Sequence, residues 1–284
     1  MNPPEISNLP ASIHRRLLNQ ARKTGRPFNE LLQLYAIERF LYRLSQSPHC
    51  DRFVLKGALM LRVWELGLAR PTRDIDLLGH MANEPEKIAA VIREICVWDV
   101  EPDGIVFDPT TVVVEAIVQA PDKAGIRSRI AGSLGNARLA MQLDIGFDDV
   151  IVPHANLIEF PTLLDQPAPS LYGYSPESMI AEKFEAMVTL GAINSRMKDF
   201  YDLWFLFSRL EIDNVALTRA ISATFNRRGV NVPENLSRFF DLLAEVPQMD
   251  VQWKAFLRRS QIEDAPDQFA QLLEELEPWL RRAV

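Results

Sequence analysis

The chain has 284 residues, 48% of them apolar and 24% charged, and its formal net charge is −7 at pH 7. This apolar content can bury a sizeable core and excludes a disordered chain, and the acidic balance excludes a uniformly basic coat for nucleic acid. Two cysteines and four scattered histidines argue against a zinc centre, and no apolar run reaches the length of a membrane span, so we expect a cytoplasmic protein.

The first elements are two amphipathic helices, predicted over Ser12–Thr24 and Phe28–Ser47 and separated by a Gly-Arg-Pro helix stop. The apolar segment that follows indicates a strand, a tight turn at Lys56-Gly57, and a helix over Ala58–Glu65. A glycine at such a turn lets the backbone approach a phosphate closely. The segment is therefore a candidate phosphate-binding turn.

The next strand carries the most informative motif, Asp74-Ile-Asp76, preceded by Thr72. Alternate side chains of a strand share a face, so Asp74 and Asp76 project together, about 7 Å apart at their Cα atoms. Two such carboxylates suit a divalent metal that neutralises nucleotide phosphates, although an isolated Asp-x-Asp is more often a pair of solvated acids. The hydroxyl of Thr72 lies where it can reach a phosphate or ribose.

Further along, the pattern predicts one helix and then three strands, over Pro85–Val97, Thr111–Ala120, Arg127–Leu134 and Arg138–Gly146. In the last strand Gln142 and Asp144 share a face, which makes Asp144 a candidate third carboxylate. Asp148 and Asp149 follow closely, and a register error of one residue would exchange the faces, so the choice among these three stays open.

Four basic residues lie between the acidic strands, namely Lys123, Arg127, Arg129 and Arg138. Such a cluster is usually a solvated face, but beside a nucleotide site it can follow an RNA backbone.

From Pro176 to Arg282 the periodicity is almost entirely helical, after a linker-like segment at Pro161–Pro176. We therefore predict two domains, an N-terminal pair of helices with an α/β domain at 1–160 and a helical domain at 161–284. Lys183 lies beside the apolar stripe of the first helix of this region, where a lysine is either a surface residue or a point charge for phosphate.

The following segment places Arg196, Lys198, Asp199 and Asp202 at helical offsets, so that Arg196 can pair with Asp199 and Lys198 with Asp202. They form either a structural ion-pair network or a group in which Asp199 or Asp202 orients Lys183 or a nucleophile and Arg196 or Lys198 reaches phosphate.

Together these motifs resemble the AbiEii/AbiGii toxin family and the DNA polymerase β-like nucleotidyltransferase fold. The resemblance rests on Gly57-Ala58 at a strand-to-helix turn, the Asp74-Ile-Asp76 strand, a later acidic strand, the Lys183 helix and the Arg-x-Lys-Asp-x-Tyr-Asp-Leu segment that starts at Arg196. It covers roughly residues 50 to 210. The usual second glycine or serine of the turn is Ala58 here, which keeps its N–H but lacks the freedom of glycine.

The resemblance implies an α+β fold, with a nucleotidyltransferase-like mixed sheet, flanking helices and a C-terminal helical bundle. It implies a magnesium-dependent toxin of a toxin–antitoxin or phage-defence system that transfers a nucleotide from an NTP to RNA, with tRNA as the expected acceptor and a cognate antitoxin as partner. Asp74, Asp76 and Asp144 would hold Mg²⁺, and Lys183, Asp199 and Asp202 would act in catalysis. The nucleotide would contact Lys56, Gly57, Ala58, Thr72, Lys183, Arg196 and Lys198.

Two alternatives remain. The acceptor can be a protein or a small molecule instead of RNA, with the same metal site. The chain can also be an inert nucleotide-binding protein, for which the replacement at Ala58 is the only hint.

Overall fold

The structure, a computed structural model, describes residues 8–64, 72–120 and 123–284, without the side chains of 118–120 and 123. Glu65 of the predicted turn-helix segment and the side chain of Lys123 therefore lie outside the described residues. Within the described ranges, no helix is both long enough and apolar enough to cross a membrane.

A mixed seven-stranded sheet forms the centre of the fold. Its strands in chain order are β1 (Phe53–Lys56), β2 (Asp74–Gly79), β3 (Ile105–Ala120), β4 (Lys123–Leu134), β5 (Ala137–Gly146), β6 (Asn156–Glu159) and β7 (Ser170–Gly173). They lie side by side in the order β3-β4-β5-β2-β1-β7-β6. The β2–β5 and β1–β7 pairs are parallel, whereas β1–β2, β3–β4 and β4–β5 are antiparallel. The predicted α+β fold class is confirmed.

The two faces of this sheet differ because the strands alternate in polarity. Ile75 and Leu77 of β2 and Leu143 and Ile145 of β5 are almost fully buried on one face. The residues between them, among them Asp74 and Asp76, are only half-buried. One face of the sheet therefore belongs to the core, and the other presents polar groups.

Ten helices complete the described part of the chain. They are α1 (Leu9–Thr24), α2 (Phe28–Gln46), α3 (Met60–Val63), α4 (Pro85–Cys96), α5 (Pro176–Leu190), α6 (Met197–Arg209), α7 (Asn214–Arg228), α8 (Leu236–Ala244), α9 (Pro247–Ser260) and α10 (Phe269–Arg281). The predicted helices agree with these bounds to within three residues at their ends, except after Gly57. There, a three-residue 3₁₀ turn leads into the four residues of α3, so the predicted continuous helix over Ala58–Glu65 is not formed.

Helix α2 covers the apolar face of the sheet, where Phe40 packs edge-on against Phe107 of β3 with ring centroids 5.7 Å apart. Its buried Arg43 forms a double ion pair with Asp103, with N···O distances of 2.6 and 3.1 Å. The position of the sheet against α2 is thereby set by both apolar packing and a buried ion pair.

The segment that the sequence predicts as a linker includes β7, which pairs with β1. Leu171 is buried there, and a Cβ at Gly173 would lie 2.9 Å from the terminal methyl carbon of Met60. Gly173 therefore indicates close packing within the sheet region and not only a turn of the chain.

The chain divides into two compact units. Of the described residues, the first comprises 8–64, 72–148 and 157–173, and it holds the sheet and α1–α4. The second includes 149–156 and 174–284, with the six helices α5–α10. The core of this second unit is rich in aromatic contacts, such as the edge-on pair of Phe200 and Phe269 at 4.9 Å.

Candidate active site

The acidic pair lies at the beginning of β2 on the polar face of the sheet. Asp74 and Asp76 are half-buried, and the intervening Ile75 is fully buried, so the strand is held by its apolar side while the two carboxylates share the other side. Two carboxylates on the same side of one strand repel each other when both are ionised, and a cation near them relieves this repulsion. Their placement is therefore suited to a bound cation.

Gly57 brings the backbone of the preceding turn against this pair. Lys56, the last residue of β1, is the register partner of Asp76, and Gly57 follows in the left-handed region at a φ of 68°. A Cβ at position 57 would lie 2.2 Å from Oδ2 of Asp76, a distance that no side chain can accept. Glycine is required at this point both for its φ and for the approach of the turn to the carboxylate.

The remaining predicted residues of the turn lie around this contact. Ala58 is buried in the 3₁₀ turn. Thr72 is half-buried and donates a long hydrogen bond of 3.5 Å to the backbone carbonyl of Asp74. Because α3 has only four residues, its dipole contributes little, and the close backbone approach at Gly57 is the stronger feature for a phosphate.

Asp144 is the register neighbour of Asp76 in the adjacent strand β5, and a guanidinium holds it. Arg127 of β4, which pairs with Asp144 across the next ladder, donates from Nε to Oδ1 at 2.8 Å and from Nη2 to Oδ2 at 2.7 Å. Gln142 Nε2 also donates to Oδ2 at 3.4 Å. The sequence predicts the position of Asp144 beside the acidic pair, but it gives no signal for its bidentate partner.

The donor set fits a magnesium–nucleotide complex in part. Within the described ranges, no three His, Cys, Asp or Glu residues are grouped closely enough to hold a metal by themselves. Magnesium, however, is commonly bound by one or two carboxylates together with substrate phosphates and water. Asp74 and Asp76 supply the two carboxylates, and the close approach of Gly57 leaves a backbone edge, not a side chain, beside them. Asp144 as a third ligand stays a prediction.

A second group of charges lies in the helical unit and involves every residue that the sequence singled out there except Lys198. Lys183 of α5 contacts two carboxylates of α6, with Nζ 2.7 Å from Asp199 Oδ1 and 2.7 Å from Asp202 Oδ2. Arg196 Nε lies 2.8 Å from Asp199 Oδ2. We call Lys183, Arg196, Asp199 and Asp202 the lysine cluster.

The lysine cluster pairs two cations with two carboxylates, and all of its members except the exposed Arg196 lie largely inside the helical unit. Asp202 is fully buried, Asp199 is almost so, and the Lys183 side chain is only 12% exposed. Burial raises the pKa of Asp199, but the charges of Lys183 and Arg196 outweigh it and hold that pKa below its usual range. The predicted pairing of Arg196 with Asp199 is confirmed, whereas Lys198 is exposed on α6.

The sequence did not reveal another buried charge group in the helical unit, around Arg228 at the end of α7. Its guanidinium contacts Glu185 of α5 and lies 3.4 Å from Asp149, which precedes it by 79 residues. Glu182 lies 4.0 Å away and accepts a hydrogen bond of 2.9 Å from Tyr174. Long separations along the chain carry no periodic signal, so only the folded chain shows this group.

Two solved structures share this fold. One is described as a "putative nucleotidyltransferase" from H. pylori, with 19% identity and a TM-score of 0.52 over 89% of this chain and 93% of that one. The other is JHP933 from Helicobacter pylori, with 18% identity and a TM-score of 0.52 over 89% and 90%. No curated protein matches the sequence. The family model described as "Nucleotidyl transferase AbiEii toxin, Type IV TA system" matches residues 39–275, which is most of the chain.

Proposed function

We propose that this chain, which belongs to the AbiEii nucleotidyl transferase toxin family, transfers a nucleotide from an NTP to RNA with Mg²⁺ as cofactor and tRNA as its acceptor. Membership makes the chain a nucleotidyltransferase and implies a toxin of a type IV toxin–antitoxin system, which has an antitoxin as its counterpart. The metal, the acceptor and the roles of individual residues are our proposals, as is its action in the cytoplasm.

The approach of Gly57 to Asp76 is the observation that carries the proposal. A turn whose Cβ would lie 2.2 Å from a carboxylate oxygen leaves room for backbone alone beside the acidic pair. Backbone N–H groups at such an edge can donate hydrogen bonds to phosphate oxygens. The two carboxylates next to it can bind the cation that accompanies those phosphates. An inert scaffold has no physical need to keep two half-buried carboxylates against a left-handed glycine.

The bound ion would neutralise phosphate charge and stabilise the charge that develops on the leaving pyrophosphate. Asp74 and Asp76 would hold it, and they fix its place because β2 is anchored by Ile75 and Leu77 in the core. The backbone at Gly57 and Ala58 would orient the phosphates, with Lys56 and Thr72 beside them. Orientation and charge stabilisation are the main contributions that a protein makes to this chemistry.

The lysine cluster would act through the position of Lys183. Asp199 and Asp202 hold its ammonium at 2.7 Å each, so the position of the ammonium is fixed and does not vary with a flexible side chain. We propose that Lys183 serves the phosphates and that Asp199 and Asp202 position it, while Arg196 balances Asp199 and Lys198 contributes from the exposed face of α6.

The test is a transfer assay with purified protein, Mg²⁺, each α-labelled NTP in turn and total bacterial RNA, resolved on a denaturing gel. Wild type is expected to label a tRNA-sized band, and Asp76→Ala is expected to label none. Thermal unfolding of both proteins is the control, because Asp76 is half-buried and its loss leaves the core unchanged.

The alternatives give different results in the same assay. Label on a protein or a small molecule and on no RNA would replace the RNA acceptor. Magnesium-dependent nucleotide binding without label on any acceptor would indicate the inert nucleotide-binding protein, and absence of nucleotide binding would contradict the proposal as a whole.

A further inference from the structure

Arg127 lies on the side of the acidic pair that faces away from the phosphate-binding turn. The sheet order places β1, which ends at the turn of Gly57, on one side of β2, and β5 followed by β4 on the other. Because Asp76 pairs with Lys56 on one side and with Asp144 on the other, and Asp144 pairs with Arg127, these four residues form one row across the polar face. Arg127 is thus about 10 Å from Asp76 at the Cα atoms, two strand spacings away.

Asp144 fixes the orientation of the Arg127 guanidinium but does not occupy all of its hydrogen-bond donors. Two of its five N–H groups are donated to Asp144, and its side chain is 31% exposed. A guanidinium is charged at every relevant pH. An oriented guanidinium with donors to spare is the preferred partner of a phosphate.

The surrounding face allows a phosphate chain to reach this group. Arg129 lies two residues after Arg127 on the same face of β4 and is half-exposed. It forms an ion pair at 2.8 Å with Glu115, whose side chain is also exposed to solvent. Ion pairs of this kind contribute little to stability and exchange readily for other partners. Arg138 of β5 is exposed on the same face.

We infer that Arg127 binds a backbone phosphate of the RNA acceptor and that Asp144 positions it, an inference that rests on the proposed function. The triphosphate is assigned to the turn at Gly57, so the second substrate must approach the acidic pair from the opposite side, which is the side of β5 and β4. Asp144 then acts through Arg127 and is a positioning residue.

The test compares Arg127→Ala, Arg127→Lys and Asp144→Asn with wild type in two measurements, magnesium-dependent NTP binding by calorimetry and steady-state transfer to purified tRNA. We expect Arg127→Ala to raise KM for tRNA about 10- to 100-fold, as loss of a charge-assisted hydrogen bond does, and to leave NTP affinity unchanged. The salt dependence of tRNA binding should fall by about 0.7 in its logarithmic slope for a single-stranded end. Arg127→Lys should restore part of the affinity for tRNA.

Arg209→Ala is the charge-matched control. It removes a half-exposed arginine that is paired with Asp264, and it should behave as wild type.

Asp144→Asn separates positioning from metal binding. As a positioning residue it should raise KM for tRNA without a change in NTP affinity, whereas a metal ligand would weaken NTP binding in magnesium. Weaker NTP binding in either Arg127 variant, or an unchanged KM for tRNA in Arg127→Ala while wild type labels tRNA, would overturn the inference alone. Failure of wild type to label any RNA would overturn the proposed function and this inference with it.

Discussion

The acidic pair on β2 and the lysine cluster on α5 and α6 use the same kinds of charge in opposite ways. In the pair, two carboxylates of the same sign lie half-buried on one face of a strand. In the cluster, two cations meet two carboxylates that are almost wholly buried. Two half-buried carboxylates of like charge are suited to bind a cation and cost little to remove, whereas a buried ion pair is costly to break.

The largest expected effect separates activity from stability at the pair. Asp76→Ala should reduce transfer by more than about 100-fold, because the charge that it would stabilise develops at that place. Its unfolding free energy should change by no more than about 0.5 kcal/mol, as for other substitutions away from the core. A labelled-NTP assay and urea unfolding check the two halves of this prediction. Full activity in a folded variant would remove the pair from the site.

Lys183→Met tests the opposite region. It leaves Asp199 and Asp202 with Arg196 as the remaining cation of the lysine cluster, and breaking a buried pair in this way costs about 3–5 kcal/mol. Urea unfolding should show this loss, and Lys183→Arg should recover part of it because the charge is retained. An unfolding midpoint equal to that of wild type would mean that the cluster is not a stabilising network.

Gly57→Ala should impair nucleotide binding at the acidic pair through a steric clash, without any change of charge. The added Cβ would meet Asp76, and the positive φ costs about 1–2 kcal/mol for a residue with a side chain. Gly25→Ala is the matched control, since Gly25 has a φ of 72° and no atom within 4 Å of the added Cβ. Both variants should lose the stability that the positive φ costs, Gly57→Ala should lose more because of the clash with Asp76, and only Gly57→Ala should lose magnesium-dependent nucleotide binding. Equal nucleotide affinity in the two would show that the approach to Asp76 has no part in binding.

The smallest effect is a dependence on pH. In wild type the pKa of Asp199 lies below its unfolded value, so its stabilisation is present above that unfolded value and is lost as the pH falls through the folded pKa. In Lys183→Met the effect of burial outweighs the charge of Arg196, so the pKa of Asp199 rises. Protonation of Asp199 at lower pH then removes the cost of its buried charge. The difference in unfolding free energy between the two proteins should therefore shrink from pH 7 to pH 4. A constant difference would contradict the assignment of Asp199 as the ionised partner of Lys183.

Local patterns in the sequence predicted most of the fold. The alternation around Ile75 and around Leu143 indicated the two acidic strands, and the helical offsets around Asp199 and Asp202 indicated their common side of α6. These patterns arise within a few residues and depend on one element each.

Pairings across the chain could not be predicted in this way. The bond of Arg127 to Asp144 depends on the register of the β4–β5 hairpin, and that of Arg228 to Asp149 joins residues far apart in sequence. The parallel pairing of β7 with β1 likewise depends on tertiary contacts of Gly173 and Met60. Register and tertiary packing decide which side chains meet, and neither has a local signature.

We expect the acidic pair on β2 to bind the metal-bound nucleotide, and calorimetry measures this binding itself. NTP is titrated into wild type, Asp74→Asn and Asp76→Asn, each with and without Mg²⁺, after their thermal unfolding has been shown to match. We predict binding to wild type that requires Mg²⁺ and is lost in both variants, because the carboxamide keeps the shape and removes the charge. Equal affinity in all three proteins, or binding to wild type that does not depend on Mg²⁺, would contradict a metal–nucleotide site at Asp74 and Asp76.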